Sequence, residues 1–191
     1  MTAVTTPEQY GIDQLTSRAR MVDLVLLYAH AVDRRRWELL ENVFHDDAHW
    51  WVSSNGDIRP WREAADLSRD IFNDHLGPTH HLVANLLVSF QDADSALSEA
   101  YIIAYHRVRA DAPLGGMFGG IGSEYDLIAG GRYIDTWSRR DGEWKIARRR
   151  VHSEWRHVQS AADGILSQVP IEARGKWDDT DLSTPVIARF R

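Results

Sequence analysis

The chain has 191 residues, 43% hydrophobic and 26% charged, enough for one substantial core and short for two. A formal charge of -6 at pH 7 and the absence of cysteine argue against a nucleic-acid partner and exclude disulfides, thiolate nucleophiles and cysteine-ligated metals. The N-terminal stretch MTAVTTPEQYG has no secretory signature, and no apolar run approaches the roughly 20 residues that cross a bilayer; the expectation is a cytoplasmic protein without a membrane contact.

Residues 12–33 carry Leu15, Ala19, Val22, Leu26 and Ala29 at helical spacing, which predicts an amphipathic helix with that stripe inward. A short helix follows over Trp37 to Phe44, and AHWWVSS (48–54) reads as a strand because aromatic and β-branched residues cluster there. Asn55-Gly56-Asp57 is turn chemistry, and Pro60 opens a helix running to about Asn73. Four strands are expected after Gly77-Pro78, over 79–91, 95–110, 123–139 and 143–156. Asp92-Ala93-Asp94, the glycine-rich 113–122 and Asp141-Gly142 connect them. Residues 113–122 read as a long hairpin connection, with a lid over a pocket as the sharper alternative. Helices first and an antiparallel meander second predict an α+β domain with helices on one face of a bent sheet. No boundary divides 1–191; the core spans about 12–157, and 158–191 is an extension that wraps the domain or a neighbour, or moves freely.

Three residues carry proton-transfer chemistry. Asp33 lies seven residues after Leu26 and four after Ala29, so it shares their stripe, and an inward carboxylate must be paired or change its pKa. His81 shares a strand face with Val83, Asn85 and Leu87, which turns His80 the other way. His106 alternates with Ile102, Ala104 and Val108, and small neighbours there leave room for a ligand. A carboxylate facing two imidazoles suits abstraction of a carbon-bound proton. The trio could also form a facial triad for iron, and His45 and His49 flank two aspartates, but no HExxH is present and metal-free chemistry uses the same residues. No metal and no cofactor is expected.

At these residues the chain resembles the SnoaL-like branch of the nuclear-transport-factor-like superfamily, through YAHAVDRRRWELLENVFHDDAHW, THHLVANLLVSF and GGRYIDTWSRRDGEWKIARRR, over roughly 12–157. The resemblance implies an α+β cone, a curved mixed or antiparallel sheet holding helices in its concave face. It is most marked to the hexachlorocyclohexane dehydrochlorinase and scytalone dehydratase members, and implies an Asp33–His81 dyad, pocket roles for Trp50, Tyr133 and Arg149, and a second histidine at His106. Val32, Trp50-Trp51, Gly131 and Tyr133 depart from the dehydratase pattern, which puts scytalone itself in doubt as substrate. Tyr28, Trp50, Phe72, Leu76, Ile102, Tyr133 and Arg149 are then expected around a cyclic or aromatic small molecule. The expected activity is a cofactor-independent lyase, a dehydratase of a cyclic or polyketide-like carbonyl compound, with His106 protonating the leaving hydroxyl or holding the water. Its rivals are an isomerase, cyclase or dehydrohalogenase, a binding protein, or the non-catalytic small subunit of a ring-hydroxylating dioxygenase. The resembled enzymes and the apolar outer-face Tyr101, Ile103 and Tyr105 point to a homotrimer.

Overall fold

A computed structural model describes residues 10–52, 57–115, 118–161 and 168–190. Helix α1 (Ile12–Asp33) leads through a 3-10 turn (Trp37–Leu39) and the single-turn α2 (Leu40–Val43) into strand β1 (Phe44–Val52). Strand β2 (Ile58–Pro60) and helix α3 (Trp61–His75) come next, then β3 (Leu76–Phe90), β4 (Ser95–Val108), β5 (Tyr125–Arg140) and β6 (Glu143–Ser160). The six strands form one open sheet in the order β2-β1-β6-β5-β4-β3. All pairs are antiparallel except β1 with β6. Helix α3 packs against both β1 and β3 although three strands separate them, so the sheet curls around its helices. The fold is therefore α+β with a mixed, cone-like sheet, as the resemblance implies, and the sheet is not closed.

The hairpin at Asp141-Gly142 has φ of 52° and 83°, the left-handed pair that a two-residue turn matched to strand twist requires. The 92–94 turn is closed by Asp92, whose carboxylate accepts from the Asp94 amide at 2.8 Å and the Ser95 hydroxyl at 2.7 Å.

Several expectations are corrected. The inward face of α1 is Met21, Leu24, Val25, Tyr28, Ala31 and Val32, while Leu15 and Leu26 are exposed. Ala29 and Asp33 of the expected stripe are buried, but the helix is apolar on more than one side, so spacing alone misplaced its leucines. Strand β1 begins at Phe44, because Phe44 joins the parallel ladder opposite Ile146. β2 was not foreseen; it adds an antiparallel edge against His49–Trp51. On β3 the register shifts between Ala84 and Leu87 around Asn85, whose φ is 51°. This bulge reverses the alternation, so Leu87 faces solvent and Val88 the core. The turn residues Asn55 and Gly56 lie outside the described residues.

The extension folds back on the domain: Ile187 is buried, Asn42 donates to the Phe190 carbonyl at 2.7 Å, and Arg36 pairs with Asp179. Among the described residues no helix is long and apolar enough to cross a membrane.

Candidate active site

The C-terminus of α1 meets the start of β3, and that junction sets the chemistry. Asp33 is buried at the last helical position. Its Oδ2 accepts the His81 backbone N–H at 2.7 Å; its Oδ1 accepts the Thr79 hydroxyl at 2.8 Å and lies 2.7 Å from His81 Nδ1. Thr79 and His81 are two apart on one strand, so both reach the same carboxylate. Burial pushes the Asp33 carboxyl up, but the bonds from His81 and Thr79 outweigh it and hold the pKa at about 2. The carboxylate is ionised across the working pH range and fixes the His81 proton on Nδ1, leaving Nε2 as the free base.

His81 opens onto a cavity of about 360 Å³ between α1, α3 and the concave face. Tyr28, Trp50, Phe72, Ile102, Tyr133 and His106 line it with His81. The wall is mostly aromatic and aliphatic, and the volume exceeds twice the ~150 Å³ of a cavity that holds benzene. Leu76 and Arg149, expected on the wall, lie behind it. Leu76 is fully buried in the core. Arg149, equally buried, has its Cζ 4.1 Å from the Tyr28 ring centre and 4.3 Å from that of Tyr133. It also makes a two-pronged pair with Asp135, at 2.8 and 2.7 Å. Burial opposes its charge, and the Asp135 carboxylate more than restores it, raising the pKa. Burial pushes the Tyr28 phenol up to about 12 and Tyr133 well above its usual value, so both rings keep their protons.

The His81 and His106 ring centres are 5.2 Å apart, edge to face. His106 is 4% exposed, and burial, reinforced by the neighbouring His81, lowers its pKa to about 3. At neutral pH it carries one ring proton, which suits the second of the roles expected of it, holding the water, better than the first. Its Nδ1 has no partner among the described residues, which leaves an acceptor.

Phe118 packs on His106 at 4.7 Å and on Phe72 at 5.8 Å. The glycine-rich connection thus supplies pocket wall through Pro113, Gly115 and Phe118. Ile71, His75 and Ser153 also line the cavity without having been singled out. Ile71 could have been found beside Phe72 on α3; Ser153 could not, because its direction depends on a register shift opposite Gly130 and Gly131. His45 instead bonds the Ser138 carbonyl at 2.9 Å, away from the cavity.

A model of the SnoaL-like domain matches residues 13–150. A gamma-hexachlorocyclohexane dehydrochlorinase of Sphingobium indicum is 28% identical over 138 residues, 72% of this chain and 81% of that protein. The solved hexachlorocyclohexane dehydrochlorinase of Novosphingobium barchaimii superposes with a TM-score of 0.67 at 22% identity, over 79% of this chain and 95% of that one. A candidate scytalone dehydratase from Novosphingobium aromaticivorans gives 0.62 at 22%, over 86% and 98%. These structures share the curled sheet, and the family model spans most of the chain, both sides of the dyad included: the protein belongs to the SnoaL-like domain family.

Proposed function

We propose that this protein is a cofactor-free lyase that removes water from a ring-shaped carbonyl compound. The observation that carries the reading is the Asp33–His81 pair on the wall of an apolar cavity. His81 Nε2 takes the proton from the carbon next to the substrate carbonyl, and Asp33 stabilises the imidazolium that forms. The electron pair passes through the enolate, whose charge lies at the Tyr28–Tyr133 end backed by the Arg149 cation. As the C–O bond breaks, the same imidazolium returns its proton to the departing hydroxyl and water leaves. His106, held neutral, stands edge-on to His81 on the same wall, beside the departing hydroxyl. A metal in place of this scheme would have to displace the three bonds that already occupy the Asp33 oxygens.

Loss of hydrogen halide from a ring is the second reading. The sequence relatives are dehydrochlorinases, and a leaving halide needs no proton, which suits a site whose second histidine is neutral. Double-bond migration or cyclisation would start with the same proton abstraction.

The test is chelator-treated protein with cyclic β-hydroxy ketones and chlorinated cyclohexanes in deuterated solvent, followed for exchange, alkene and chloride. Water loss should occur, and Asp33→Asn and His81→Ala should each lower it by about 10²-fold or more. Chloride release alone would select the second reading. Activity lost to the chelator and restored by iron or zinc would overturn both, and turnover by the isolated chain would exclude a purely structural subunit role.

A further inference from the structure

Helix α1 ends in a six-residue loop closure, with Arg36 N–H bonding the Ala31 carbonyl at 2.7 Å and Arg35 N–H the Val32 carbonyl at 3.3 Å. That closure needs a left-handed residue at its pivot, a place glycine usually fills. Here the pivot is Arg35, at φ 58°. A side chain there strains the backbone, and such strain persists where the surroundings enforce it.

The Arg35 guanidinium shows what enforces it. Nη1 donates to the Val32 carbonyl at 2.8 Å and to Thr79 Oγ1 at 3.1 Å, and Nη2 donates to the Gly77 carbonyl at 3.0 Å. The Thr79 hydroxyl in turn donates to Asp33. An unbroken line therefore runs from the Arg35 cation through Thr79 and Asp33 to His81 Nδ1. The guanidinium is also sandwiched, 5.0 Å from the ring of Phe72 on the cavity wall and 5.0 Å from that of Trp177 in the C-terminal extension. Trp177 lies beyond the 13–150 that match the family model.

We propose that Arg35, clamped by Trp177, is a positioning residue for the Asp33–His81 pair: it aims Thr79 at the carboxylate and its charge sets how readily His81 accepts a proton. The extension thereby becomes part of the site without touching substrate. Burial lowers the Arg35 pKa to about 10, with Asp33 opposing that fall, so the side chain is a cation throughout the working range. Among the described residues, the other charged or titratable groups about His81 are Asp33 and Tyr28 on α1, His75 at the end of α3, His106 on β4 and Tyr133 on β5, with Arg34 and Arg109 around Arg35 itself. Removing one cation from this set stabilises a protonated His81, so the ring should hold its proton to higher pH.

The proposal rests on the lyase reading for its purpose, but its test does not need turnover. The His81 ring resonances, assigned by their loss in His81→Gln, are titrated by NMR in the full chain and in Arg35→Asn, Arg35→Lys and Trp177→Ala. Asparagine tolerates the left-handed backbone, so Arg35→Asn removes the cation and keeps the loop. Its His81 midpoint should rise by about one pH unit, Arg35→Lys should stay within a few tenths, and Trp177→Ala should fall between. Where turnover is measurable, Arg35→Asn should lower kcat about tenfold with KM unchanged. An unmoved midpoint in folded Arg35→Asn would reduce Arg35 to a helix cap. If that variant does not fold, Trp177→Ala decides, and wild-type titration there would overturn the clamp. Silence of the wild type on every substrate would sink the lyase reading and leave the titration result standing.

Discussion

Arg149 is fully buried, yet it is charged. Two phenol rings cover its faces and Asp135 takes two of its nitrogens. In so dry a place the pair contributes little as a pair, but either half alone is costly. Arg149→Met should therefore destabilise the fold by about 3–5 kcal/mol in urea unfolding, while Arg149→Met with Asp135→Leu should recover much of that loss. An equal cost in both would show that the tyrosine sandwich, not the charge pair, matters. At this scale His81 and His106 were legible, because alternation and family resemblance converge on them, and Asp33 through the resemblance and its spacing from buried Ala29, although Leu26 of the same stripe faces solvent. The resemblance put Arg149 at the pocket but could not give its depth: a matching position says nothing of what stands in front of a side chain. Arg35 stands in a run of three arginines, 34–36, which by residue type alone suits a solvated edge; only the pivot backbone, which no residue-type pattern encodes, turns it toward the dyad.

The strands were easy to read and their faces were not. Asp141-Gly142 announces its turn, but the Asn85 bulge and the Gly130–Gly131 shift change which side chains point inward. The two glycines are not equivalent. A methyl group on Gly131 would run into the His152 backbone carbonyl, whereas the three atoms nearest to one on Gly130 all belong to the indole of half-exposed Trp155. Gly130→Ala should cost about 1–3 kcal/mol, since the indole can swing away. Gly131→Ala should cost more, because backbone must move, and it should also shift Ser153 at the cavity. Thermal unfolding of the two variants compares them; equal losses would mean that β6 yields as easily as a side chain. The face of α1 was misread for a related reason, as Leu24 to Leu27 are apolar on every side.

Across the whole molecule, the outer face of the sheet carries an apolar row. Leu82 pairs with Ile103, Ile103 with Gly130, and Gly130 with Trp155, and the three side chains are each about half exposed. We propose that this row is covered by further copies of the chain, as a trimer. Sedimentation equilibrium should find three chains, and Leu82→Lys with Ile103→Lys should give folded monomers. A monomeric wild type would remove the idea. The parallel pairing of β1 with β6 has a consequence for synthesis. Phe44 and Trp50 sit beside Ile146 and Arg149, about a hundred residues later in the chain. At roughly 5–20 residues per second on a ribosome, β1 waits some 5–20 s with its aromatic side chains unsheltered before its neighbour emerges. The nascent protein therefore passes through an interval in which chaperones can hold it, and a stall before β6 leaves a fragment whose pocket lacks the wall that Val151 and Ser153 supply.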